Sequence, residues 1–118
     1  MEPMRHEMMM MDDYDIVNDI IDTMMEVYDE LDGAKMYIKE AMRMKARDRA
    51  TADSRVTMSA QELGHAETLT ATVNKLLDKA KAEKHPCYAV MAMFWHHIHS
   101  RQAGYMAWIK NLHEQYKK

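Results

Sequence analysis

Cysteine, proline and glycine are all scarce in this chain. Its 118 residues include one cysteine, two prolines and three glycines. With Cys87 alone, no intramolecular disulfide can staple the fold, and a cytoplasmic, reducing location is expected. So little glycine and proline argues against the many tight turns of an all-β domain. Long apolar runs are missing too. Mean hydropathy is −0.57, and no stretch nears the roughly 20 apolar residues of a membrane span, so no membrane association is expected. The stretch Met1 to Asp15 has a methionine run, but Glu2, Glu7, Asp12 and Asp13 do not suit a signal peptide. Basic charge is not in excess: 16 Lys and Arg face 19 Asp and Glu, for a net −3, which argues against nucleic acid as a partner.

What is present forms helices. The chain is 47% hydrophobic and 30% charged, a balance that suits one folded domain over residues 1–118 rather than a disordered tail. The chain is rich in the helix formers Ala, Met, Glu and Lys, with Leu beside them. The pattern predicts helices at about 12–47, 50–84 and 86–117, with 1–11 as a flexible Met-rich N-terminus. In the first, Ile16, Ile20, Met24, Val27, Leu31, Ala34, Ile38 and Ala41 step by fours and threes. In the second, Val56, Leu63, Ala66, Thr70, Val73, Leu77 and Ala80 trace one side. In the third, Val90, Met91, Phe94, Ile98, Tyr105, Ile109, Leu112 and Tyr116 do the same, and Pro86 suits its first position. The polar stretch Lys45 to Asp53 holds no Gly or Pro, yet Asp48, Thr51 or Asp53 is each able to cap a new helix. One unbroken helix is the alternative. The expected fold is all-α: an antiparallel helical hairpin (12–84) plus a third helix (86–118), completed by oligomerisation because so small a core buries little.

Methionine is abundant, with 15 in all and four in a row at Met8 to Met11. Thioether sulfur with His6 suits Cu(I), but the methionines scatter over several faces, and an adaptable core or interface is the better reading.

Glu62 is the informative residue. At about 100° per residue it falls within the apolar arc of the second helix, near Leu63, Ala66, Leu69 and Val73. An inward carboxylate needs a cation, a hydrogen-bond donor or a proton to offset its desolvation. His65 follows one turn later, and Glu-x-x-His on an inward helix face is the ligand pattern of helical di-iron and di-manganese proteins. The first helix offers Glu30 at the margin of its stripe, with Tyr37 two turns on as a phenol able to orient a carboxylate. For Glu30 and Glu62 to share one level, the hairpin must turn near residue 46. A Lys or Arg partner for Glu62, with His65 facing solvent, is the metal-free alternative.

Glu30-x6-Tyr37 followed by Glu62-Leu63-Gly64-His65-Ala66-Glu67 resembles the first helical pair of the rubrerythrin and ferritin-like superfamily, over about residues 24–80. The resemblance implies Glu30 as a terminal carboxylate ligand, Glu62 as a bridging ligand, His65 as the terminal nitrogen ligand and Tyr37 as support. A full bundle of that kind carries a second ligand set, but no Asp or Glu lies between Glu83 and Glu114. The closer likeness is to the short encapsulated ferritins, whose centre forms between two copies. It implies a homodimer or higher homo-oligomer holding two iron ions at the interface, with Mn or Zn as substitutes. The activity implied is iron oxidation or peroxide reduction. The other reading is a non-enzymatic helical assembly protein whose metal site is vestigial or absent.

The remaining features are weaker. Adjacent histidines splay by about 100°, so His96, His97 and His99 read as a solvated or interface face, or as a secondary metal site in an oligomer. Trp95, off the stripe's centre, is expected to cover a partner. Arg43, Lys45, Arg47 and Arg49 read as a solvated helix end, and Cys87 as incidental.

Overall fold

Asp48 is where the first helix gives way to the second. The computed structural model describes the backbone of residues 2–118 and the side chains of residues 16–118. The N-terminus expected to be flexible over 1–11, with its methionine run and His6, therefore lies outside the described side chains. The element order is α1 (Glu2–Met44), α2 (Arg49–Ala82) and α3 (Tyr88–Lys117), with no strand among the described residues. No described helix is long and apolar enough to cross a membrane.

Without Gly or Pro to break it, the chain reverses between α1 and α2 through hydrogen bonds alone. The Arg47 and Asp48 amides both donate to the Met44 carbonyl, at 3.0 and 2.8 Å. Asp48 then caps α2, accepting from the Thr51 amide at 3.1 Å and the Thr51 hydroxyl at 2.7 Å. These bonds hold the Asp48 carboxyl below its ordinary pKa. Of the three candidate caps, Asp48 is the one used.

α2 ends in a Schellman motif. The His85 amide donates to the Ala80 carbonyl at 2.9 Å and the Lys84 amide to Lys81 at 3.0 Å. The residue between them in the left-handed seat is Lys84, with φ 55°, where glycine is the usual occupant. Pro86 lies in the following turn rather than opening α3, and the Cys87 amide donates to His85 Nδ1 at 3.0 Å.

α3 runs beside the hairpin, parallel to α1. Trp95 meets Asn74 low on α2, Gln102 meets Met24, and Tyr116 meets Asp53 beside the turn. Near that turn Ser59 Oγ donates to the Ala34 carbonyl at 2.6 Å, so His113 Nε2–H donates to Ser59 at 2.8 Å, tying all three helices. Burial lowers the pKa of His113 and keeps it neutral. The core has two clusters. One gathers Val27, Leu31, Ala34, Ile38, Leu63, Ala66 and Ile109, and the other Ile20, Met24, Val73, Leu77, Met91 and Trp95. The rod measures 68 × 24 × 15 Å, and its radius of gyration of 19.0 Å exceeds the about 13 Å of a round domain this size. Three helices in so long a rod leave one flank of the hairpin bare.

The buried face of α3 differs from the expected one. Trp95 is 5% exposed and packs in this chain's own core, not on a partner, while Phe94 and Val90 are 52% and 67% exposed. The helix is turned by about 45° from the stripe that an apolar count selects. Two polar hydrogen bonds explain the rotation. The Trp95 indole N–H donates to Asn74 Oδ1 at 2.9 Å, and buried Gln102 donates to the Met24 carbonyl at 3.1 Å. The indole thus buries its large apolar area while its one donor is satisfied.

Candidate metal centre

The hairpin turn at 45–48 sets the level at which α1 and α2 face each other. Residues 30 and 62 are equidistant from position 46, so Glu30 and Glu62 come to one height across the helix pair. His65 stands one turn from Glu62 on the neighbouring surface. One ligand atom from each of Glu30, Glu62 and His65 lies within 4.8 Å of the other two. Among the described residues no other trio of His, Cys, Asp or Glu converges in this way.

The trio sits on the bare flank. α3 reaches the hairpin on its other side, where Tyr105 Oη donates to Asp32 at 2.6 Å and Lys110 to Glu67 at 3.3 Å. Asp32 and Glu67 are about 160° round their helices from Glu30 and His65 respectively. Leu69, one turn beyond His65, and Tyr37, two turns beyond Glu30, are partly buried. The Glu30 and His65 side chains are 27% and 62% exposed, and Glu62 is half-buried beside the buried Leu63 and Ala66.

Its electrostatics are unbalanced. Glu30 Oε2 is sealed from water and has no hydrogen-bond partner. His65 Nδ1 stands 3.4 Å from it, an ion-pair distance only when the imidazole is protonated and long for a hydrogen bond. The Glu62 carboxyl is held above its ordinary pKa, first by a hydrogen bond shared with Glu30, then by burial and by the charge of Glu30, while His65 pulls the other way. Two carboxylates thus compete for one proton or one cation. Among the described residues no Lys or Arg pairs with either of them; Arg55, on the same flank, is taken by Glu40 at 3.4 Å. Of the metal-free alternative, the Lys or Arg partner for Glu62 is absent among the described residues, while His65 does face solvent.

Gly33 was not singled out by the sequence pattern. It interrupts a run of good helix formers, which was its signal. A Cβ built there would stand 3.4 Å from Glu62 Oε2, so the missing side chain leaves room beside the carboxylate. Tyr37 lies on the flank with its ring under Arg55, 5.9 Å from the guanidinium carbon, and no described hydrogen bond joins its phenol to Glu30 or Glu62. His96, His97 and His99 are exposed, and His99 leans on the Trp95 ring with centroids 5.0 Å apart. Cys87 is exposed and offers α3 no side-chain cap.

Two carboxylates and an imidazole are hard to borderline donors, suited to Fe(II), Mn(II) or Zn(II) and poorly to Cu(I). The orphaned Glu30 oxygen and the raised Glu62 carboxyl both fit a cation. One chain supplies fewer donors than any of these ions takes, so positions stay open toward the bare flank. The chain matches no protein-family model, no curated protein and no solved structure.

Proposed function

We propose that this chain is a ferritin-like dimetal protein, most simply di-iron, with ferroxidase or peroxide-reducing activity. The carrying observation is the convergence of Glu30, Glu62 and His65 within 4.8 Å, with no Lys or Arg among the described residues paired to either carboxylate. A twofold axis through the bare flank would face each trio with its own copy, giving four carboxylates and two imidazoles. Four negative charges balance two divalent ions, and the partly buried Leu69, one turn beyond His65, would exclude water on that side. Paired iron held there would supply electron transfer to O₂ or peroxide. The protein's own part is to fix the carboxylates across the helix pair, orient the imidazole one turn away and keep open the room beside Gly33.

Anaerobic titration with Fe(II) tests the reading. Saturation near one iron per chain is expected, with loss in Glu62→Ala and His65→Ala; absent or variant-insensitive binding contradicts it. One observation favours the second reading, a non-enzymatic helical assembly protein: Val90, Met93, Phe94 and Trp108 are 67%, 70%, 52% and 43% exposed on α3. An oligomer that forms without metal and takes up none supports that reading instead.

A further inference from the structure

Charge is divided unevenly along the rod. Residues 1–34 carry eleven of the nineteen acidic side chains and one of the sixteen basic ones, Arg5. Residues 35–55 carry seven basic side chains against three acidic. The end of α3 brings Lys117 and Lys118 to the same pole, because Tyr116 hydrogen-bonds Asp53 and its carbonyl accepts from Lys45.

At this basic pole an open groove of about 610 Å³ runs between α1 and α3. Met36, Met42 and Leu112 supply its apolar lining, and Lys35, Lys39 and Arg43 its charge. Met36 is 48% and Met42 38% exposed. The ammonium groups of Lys35 and Lys39 stand over the Tyr105 and Trp108 rings, at 5.9 and 5.4 Å, so they are positioned rather than loosely solvated. The acidic residue of the groove, Glu40, is turned to Arg55 at 3.4 Å, which leaves the groove net positive. An apolar lining flanked by fixed cations selects an acidic amphipathic helix.

We propose that this groove docks residues 2–15 of a second copy of the chain. That segment has five acidic residues, one arginine and five methionines, the charge and the adaptable apolar surface that the groove complements. The chain's own segment does not reach. α1 is one helix from Glu2 to Met44, so at 1.5 Å per residue position 8 stands about 45 Å from the groove. The contact joins unlike faces, so it adds copies head to tail into a ring or filament. It uses a different face from Glu30, Glu62 and His65 and needs no metal.

Sedimentation velocity of the full chain in EDTA, at low and high salt, tests the proposal. Concentration-dependent association is expected at low salt, weakening as salt rises. The double variant Lys39→Glu, Arg43→Glu should weaken it by about tenfold while keeping its helical circular dichroism. Mixing that variant with Asp12→Lys, Asp13→Lys chains should restore association between the two, and excess synthetic peptide of residues 2–15 should compete. A monomer at low salt, or association indifferent to the charge reversals, overturns it. So does tighter binding of this groove to anionic vesicles or a single-stranded oligonucleotide than to the peptide.

Discussion

Replacing Gly33 by alanine separates what helps the helix from what serves the site. Gly33 lies mid-helix in α1, and no described glycine has positive φ, so alanine adopts the same backbone. The helix-propensity gain is about 1 kcal/mol. For a chain this long, an unfolding entropy of roughly 0.25 kcal/mol per kelvin turns that into a rise of about 4 °C in Tm. The new methyl would touch Glu62 Oε2 at 3.4 Å, an ordinary contact rather than a clash, but it takes water from the carboxylate. That raises a carboxyl already held high by Glu30 and burial. A raised acid stabilises the fold while protonated, and that stability is lost as pH rises through its folded pKa. The metal-free variant should therefore gain the full 4 °C or so near pH 4, below the ordinary carboxyl pKa, and visibly less at pH 8. In a Glu62→Gln background the gain should be the same at both pH values, which isolates the coupling. Thermal melts followed by circular dichroism measure all four proteins. A lower Tm at both pH values, or an equal gain at both without Glu62→Gln, would show that the Gly33 methyl and the Glu62 carboxyl are not coupled.

Further outcomes are expected. Glu62→Gln should raise the metal-free Tm at neutral pH and change it little near pH 4.5, because the amide resembles the protonated acid; melts across that range check the sign. Trp95→Ala should cost about 3–5 kcal/mol as a buried aromatic, whereas Phe94→Ala should cost under about 0.5 kcal/mol, read from urea midpoints. The reverse order would show that α3 is turned the other way. Lys84→Gly should stabilise by about 1 kcal/mol by relieving the left-handed φ of 55°, and an unchanged Tm would count against strain there.

Much of the hairpin was legible because helix geometry is periodic. The step of about 100° per residue put Glu62 and His65 on one flank, and the polar stretch after Met44 put the turn where Glu30 meets them. α3 was not legible in the same way. Counting apolar residues ranks Phe94 and Val90 above Gln102, but the buried face is set by the Asn74 and Met24 acceptors that pair with Trp95 and Gln102. Those partners are distant in sequence, so no local pattern shows them. Pro86 misled for a related reason: its fixed φ suits a helix start, yet the Schellman motif and His85 use it in the preceding turn. Gly33 gave a local signal, but its meaning depended on a carboxylate 29 positions away.

The most direct measurement is anomalous X-ray scattering at the iron edge from crystals grown with Fe(II) under anaerobic conditions. Iron is expected between the Glu30, Glu62 and His65 side chains of two chains related by a twofold axis. Iron elsewhere, or a trio bound to nothing but water and a shared proton under saturating Fe(II), contradicts that placement.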